Sequence, residues 1–176
     1  MARIETAERT SNGAKGATWQ KVTPFLAFND QCEEAIKFYT SVFKNSRIIS
    51  LQRSESDGPI PKGKVFGAEF EINGQRFMAI DGGPHFQFSE AFSLFVSCDS
   101  QDEIDSYWDK LTANGGEPSQ CGWLKDRFGV SWQIVPSNIG QLLTDSEHGN
   151  NQKAVEAMLK MSKLDKKKLE QAYAER

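Results

Sequence analysis

Histidine is scarce in this chain. Only His85 and His148 occur in 176 residues, so any centre built on imidazoles has these two alone to draw on. His85 sits in the Gly/Pro stretch GGPHFQFSE and His148 in the polar SEHGNN, and a site sharing both would need a loop and a linker to meet. His85 by itself could reach a pocket mouth as a proton carrier, its ordinary pKa lying near 6.5. Cysteine is scarce too: Cys32, Cys98 and Cys121 are odd in number and form no C-x-x-C pair. That excludes a zinc knuckle of the usual spacing, does not resemble a secreted disulfide framework, and favours a reducing, cytoplasmic setting. No apolar run approaches the roughly 18 residues of a membrane span. The net charge of -3 supplies no basic field, so nucleic acid is not an expected partner. No Ser/His/Asp or Cys/His arrangement can be assembled for nucleophilic catalysis. Residues 1–20 lack an apolar segment and carry Glu5 and Glu8, against a signal or transit peptide; they are expected to be a flexible lead-in.

Aromatic residues, in contrast, are plentiful, with twelve Phe and four Trp, and each brings a large area to bury or a wall for stacking. A strand is expected at KVTPFLAF, then a helix from about Gln31 to Phe43. On that helix Ala35, Phe38, Tyr39, Val42 and Phe43 recur at the spacing of one buried face. Three strands follow: RIISLQR, VFGAEFEI and RFMAID. The last two are joined by Asn73-Gly74, a pair that tolerates the positive φ angles of a tight hairpin. The long SESDGPIPKG loop separates the first two.

The same unit then returns. Displaced by 68 positions, Leu26 falls on Leu94, Phe28 on Val96, Ile36 on Ile104, Tyr39 on Tyr107 and Phe43 on Leu111. Further on the displacement becomes 55, because the second copy lacks the long loop: Gly74 meets Gly129, Phe77 meets Trp132 and Met78 meets Gln133. The chain therefore reads as a duplicated βαβββ unit. The expected class is α+β: two modules, about 21–83 and 91–137, forming a curved eight-stranded mixed sheet around a cavity within a 21–137 domain. Each helix would cover one face of its own strands and leave the other to line a trough. Residues 138–176 form a helical C-terminal extension in which Ala154, Met158, Met161, Leu164 and Leu169 mark a packing face and Asp165 caps a second helix.

Three blocks, PFLAFNDQCEEAIKFYTSVF (24–43), FMAIDGGPHFQFSEAFSLFVSCDS (77–100) and CGWLKDRFGVSWQIVP (121–136), resemble the vicinal oxygen chelate superfamily, which includes the glyoxalase and bleomycin-resistance proteins and the dihydroxybiphenyl dioxygenase fold. Within it they are similar to the PhnB-like, or "3-demethylubiquinone-9 3-methyltransferase", domains. The resemblance spans roughly residues 21–173 and implies a ligand cavity and a homodimer whose modules pair within or between chains. Enzymes of the superfamily hold a divalent metal through one side chain from the first and one from the last strand of each module, commonly His, Glu or Gln. The last-strand positions fall on Met78 and Gln133. Those of the first strand, depending on register, fall on Thr23 or Pro24 and on Phe92 or Ser93. None is His, Asp or Glu, so no metal site is expected. A methyltransferase of the doubly wound class needs a Gly-rich loop for its cofactor, and no G-x-G occurs here. No cofactor is expected.

Gln133 lies mid-strand with Ser131 and Val135 on its face. Its amide offers two donors and an acceptor, either to a bound molecule or to neighbouring backbone. Trp123 could stack on a ligand or belong to the core. Asp81 could act as a base or shape the turn before Gly82-Gly83. Asp126 and Arg127 are expected to define a turn and a local ion pair. Three readings remain: a metal-free protein that binds a small, partly aromatic or apolar molecule; an isomerase, lyase or dioxygenase with an unusually held metal or none; or a dimeric scaffold without a ligand, whose trough its own side chains would fill.

Overall fold

The computed structural model describes residues 21–58 and 60–175, so the lead-in read at 1–20 lies outside the described residues. The first module runs β1 (Phe25–Phe28), α1 (Cys32–Val42), β2 (Arg47–Arg53), β3 (Val65–Ile72) and β4 (Gln75–Asp81). The second repeats it as β5 (Ser93–Cys98), α2 (Gln101–Thr112), β6 (Glu117–Pro118), β7 (Trp123–Lys125) and β8 (Ser131–Pro136). The fold is α+β, as the duplication implies. The strands form two four-stranded sheets, β1-β4-β3-β2 and β5-β8-β7-β6, rather than one sheet of eight, and the sheets do not close on each other. Each module satisfies its ladder internally, its first strand pairing in parallel with its last.

Local chemistry explains the elements. Asn73 and Gly74 take φ of 47° and 80°, and Ile72 pairs with Gln75 across them, the geometry of a two-residue hairpin that only permissive residues adopt cheaply. Helix α2 starts where the Ser100 side chain accepts from the Glu103 N–H, an N-cap that occupies one of the four orphan donors. Helix α1 has no such cap of its own. Its first N–H groups are answered from afar: Asp81 Oδ1 accepts from the Gln31 and Cys32 amides, both at 3.0 Å. A carboxylate there also complements the positive end of the helix dipole.

The pairing refines the alignment of the two copies. Gly82 N donates to Phe28 O and Ser137 N to Cys98 O, both at 2.8 Å. By this criterion Phe28 stands where Cys98 does, a displacement of 70 rather than the 68 that matches Leu26 to Leu94. The two alignments differ by an even number, so every residue keeps its face.

One apolar core crosses both modules. Phe28, Tyr39, Phe43 and Phe70 from the first join Leu111, Phe128, Trp132 and Ile134 from the second. Tyr39 meets Trp132 at 5.5 Å between ring centroids, Phe43 stacks on Trp132 at 5.1 Å, and Phe28 meets Phe128 edge-on at 6.3 Å. Asp126 sits in the middle of this core and is almost wholly buried. Its carboxylate accepts from Tyr39 Oη at 2.8 Å, Trp132 Nε1 at 2.8 Å, and the amides of Phe128 at 2.8 Å and Val130 at 3.1 Å. Arg127 does not form the local ion pair expected for it. Its guanidinium reaches Glu34 on α1 at 3.0 Å and lies over the Phe38 and Phe128 rings at 4.6 and 4.8 Å. The Asp-Arg dipeptide thus ties the two modules together, because burying the turn forces its charges to find partners on the neighbouring unit.

The C-terminal helices α3 (Ile139–Thr144), α4 (Asn151–Met158) and α5 (Lys166–Ala174) build a second core of Leu142, Ala154, Leu164 and Leu169 against Val135, with Met158 and Met161 packed beside it. Asp165 caps α5 by accepting from the Lys168 amide at 3.0 Å. The extension is latched by backbone: Cys121 N donates to Met161 O and Gly122 N to Ser162 O, both at 2.8 Å. Gly122 is required there, since its φ is +84° and an added Cβ would lie 2.8 Å from Ile134 O.

Candidate functional site

Alternation along the strands sends one set of side chains into the shared core and leaves the other facing outward. On the second sheet Leu94, Val96, Trp132 and Ile134 go inward. Ser93, Phe95, Gln133 and Trp123 share the outer face, since Phe95 and Trp123 both pair with Gln133 in the ladder. Gln133 Nε2 donates to Ser93 Oγ at 2.9 Å. Phe95 is 58% exposed beside this pair. Trp123 also borders an open cleft of about 450 Å³, lined with it by Glu90, Glu117, Cys121, Lys125 and Ser131. Lys125 Nζ is held between Glu90 at 3.2 Å and Glu117 at 3.6 Å. Val135, next to Gln133 on the same face, is covered by the C-terminal helices, which wall off that end.

On the first sheet the equivalent face begins with Phe25, 52% exposed, paired with Met78. Met78 pairs in turn with Glu69, and Glu69 with Ser50. The next row is charged: Arg47 pairs with Glu71 and Glu71 with Arg76. Arg47 Nε lies 2.5 Å from Glu71, and Arg76 Nε 4.0 Å from it. Glu69 and Glu71 lie on the inner strand β3, away from the first- and last-strand positions where ligating residues are expected, and Arg76 lies on β4 but two residues before the expected position, Met78, so none of the three was singled out from sequence. The signal was present in VFGAEFEI, where two Glu alternate with core residues on a strand.

Of the residues singled out from sequence, the structure brings Gln133, Ser93 and Trp123 onto one face of one sheet. Met78 occupies the matching place on the other sheet, and Thr23 precedes β1 on its parity. Phe92 lies just before β5, exposed, its amide donating to Ser89 O at 3.2 Å. Asp81 falls on the helix-facing side of β4, engaged with the α1 amides. His85 is exposed in its loop, and His148 Nδ1 contacts Asp145 at 2.9 Å in the extension; the two stand in separate elements. Cys32 and Cys98 have thiols pushed up to about 12, in each case chiefly by burial, and are poor nucleophiles.

The donor chemistry does not fit a divalent ion at the corners where the two strands of each module meet. Thr23 and Met78 in one and Ser93 and Gln133 in the other supply no imidazole or carboxylate, and the Gln133 amide is engaged by Ser93. Among the described residues no group of three or more His, Cys, Asp or Glu side chains could hold a metal. Among the described residues, the loop and sheet features of a doubly wound methyl-donor site do not occur. The segment after β1 is Asn29-Asp30-Gln31, without glycine, and the sheets are not doubly wound.

Duplicated βαβββ modules, parallel pairing of first with last strand and helices packed on the inner sheet faces define a protein of the vicinal oxygen chelate fold. The family model for 3-demethylubiquinone-9 3-methyltransferase matches residues 20–135, and the chain belongs to that PhnB-like family. Among solved structures it is similar to a PhnB protein of Bacillus cereus described as a 3-demethylubiquinone-9 3-methyltransferase, with 41% identity, a TM-score of 0.62, and coverage of 66% of this chain and 99% of that one. A protein of Pseudomonas aeruginosa shares the fold at 24% identity and a TM-score of 0.56, over 67% of this chain and 98% of that one. No curated protein matches the chain.

Proposed function

We propose that this protein is a metal-free, homodimeric binder of a small, partly aromatic or apolar molecule, acting in a reducing cytoplasm. The observation that supports the reading best is the Gln133–Ser93 pair on an open aromatic face. A serine hydroxyl that accepts from Gln133 keeps its own proton for a further acceptor, while Gln133 Oε1 can accept in turn. The pair thus presents one donor and one acceptor side by side, between the rings of Phe95 and Trp123. A planar molecule with complementary polar atoms on one edge would be recognised by both features, the rings supplying area and the amide and hydroxyl supplying orientation.

The homodimer follows from the same faces. Phe25 and Phe95, each more than half exposed, leave apolar trough floor open to water, and pairing the first-module trough of one protomer with the second-module trough of its partner would roof both. Native mass spectrometry of freshly purified protein tests the proposal. A dimer mass carrying an organic ligand, and no stoichiometric metal by elemental analysis, is the expected result. Stoichiometric Ni, Zn, Mn or Fe that disappears in Gln133→Ala would overturn the metal-free reading and favour an enzyme.

A further inference from the structure

Resting on the reading of the troughs as a small-molecule site, we infer that Arg76 anchors an oxyanion, so that the ligand carries a carboxylate or a chemically similar acidic head beside an apolar body. Arg76 lies on β4, on the trough face of the first sheet, with only 19% of its side chain exposed. Its Nη1 is buried and has no hydrogen-bond partner among the described residues. The nearest carboxylate, Glu71, is 4.0 Å from Nε and is engaged more closely by Arg47 at 2.5 Å. Two guanidinium groups therefore share one carboxylate in this row, and Arg76 is the less served of the two. A buried cationic donor without an acceptor is a costly arrangement, and a planar guanidinium is shaped to take two oxygens of one acid.

What lies beside Arg76 sets the rest of the ligand. Met78 follows it on the same face, about 7 Å along the strand, and pairs with the exposed ring of Phe25. A ring or short aliphatic body would rest on Phe25 and Met78 while its acidic head meets Arg76 after a rotation of the guanidinium. Glu69, paired with Met78, holds negative charge at the apolar end and so fixes the polarity: the anionic head goes to the Arg76 end and not the reverse.

Calorimetric titration of the full chain with benzoate and with its neutral isostere benzamide tests this. The expected result is benzoate binding about tenfold more tightly than benzamide, the scale of one charge-assisted contact, with the preference weakening as salt rises. In Arg76→Met the preference should vanish while benzamide affinity is kept, and Arg76→Lys should retain part of it. Benzamide binding as well as benzoate to the wild-type chain would overturn the Arg76 inference and leave the trough reading standing. A preference that survives in Arg76→Met but is lost in Arg47→Met would place the anion elsewhere and likewise overturn it. Binding of neither probe would overturn both.

Discussion

Replacing Asp126 offers the sharpest check on how the two modules are held together. Its carboxylate is the acceptor for four donors: Tyr39 Oη, Trp132 Nε1 and the amides of Phe128 and Val130. Asp126→Ala strands all four in the core, at about 1–3 kcal/mol for each that stays unsatisfied. Water entering the space and removal of a desolvated charge offset part of this, so a net loss of about 3–5 kcal/mol is expected. Asp126→Asn is milder. Its Oδ1 can still accept from the two amides and the tyrosine hydroxyl can reverse to accept from Nδ2, but the indole N–H can only donate and is stranded, for about 1–3 kcal/mol. Urea unfolding followed by Trp fluorescence measures both, the midpoint moving at constant slope. A Asp126→Ala variant within about 1 kcal/mol of wild type would refute the view that this carboxylate joins the modules. The pH dependence supplies a second reading. Burial raises the Asp126 pKa above its ordinary 3.8, against the pull of its donors. The native state then binds this proton more readily than the unfolded chain, so the contribution is greatest below 3.8 and is lost as pH rises through the raised value. Glu33, lowered to about 2 chiefly by its bond to Arg53, has the opposite sign: its contribution is present above its ordinary pKa and lost as pH falls. Removing Asp126's opposing slope should make acid unfolding of Asp126→Asn steeper than that of wild type.

Gln133→Ala should leave the unfolding midpoint nearly unchanged and weaken binding of the proposed small-molecule ligand about tenfold or more, the value of an oriented hydrogen bond in a half-buried site; titration of any organic molecule recovered from the wild-type protein into both chains checks it. If the proposed dimer forms, Phe25→Glu combined with Phe95→Glu places like charges on both of its open faces, and light scattering should then report a monomer, with the fold intact by circular dichroism. Gly122→Ala forces a side chain onto a backbone of φ +84° against Ile134 O. It should destabilise by at least about 1–2 kcal/mol and speed proteolytic cleavage between residues 138 and 176, because the latch from Gly122 to Ser162 is disturbed.

The Asn73-Gly74 turn and the recurrence of an amphipathic helix after a short strand were plain in the sequence, since both depend on neighbours within a few positions. Gln133 could be placed on an outward face by counting in twos along SWQIVP. The same counting applied to VFGAEFEI would have found Glu69 and Glu71 on the other trough. Nothing local could reveal that Asp81 caps α1, because donor and acceptor stand 49 and 50 residues apart. The expected single sheet of eight strands gave way to two of four, since sequence shows that strands exist but not which edges pair.

The sequence by itself determined the repeated unit, the faces of its strands and the lack of chelating residue types at its corners, because these follow from periodicity and side-chain chemistry read over short spans. Tertiary structure alone decided that the Tyr39 hydroxyl would donate to Asp126, 87 residues away, in one core, and that Val135 would be covered while Phe95 stays open. Such outcomes depend on how whole elements pack. Packing is governed by shape and desolvation summed over many residues distant in the chain, which no short stretch encodes.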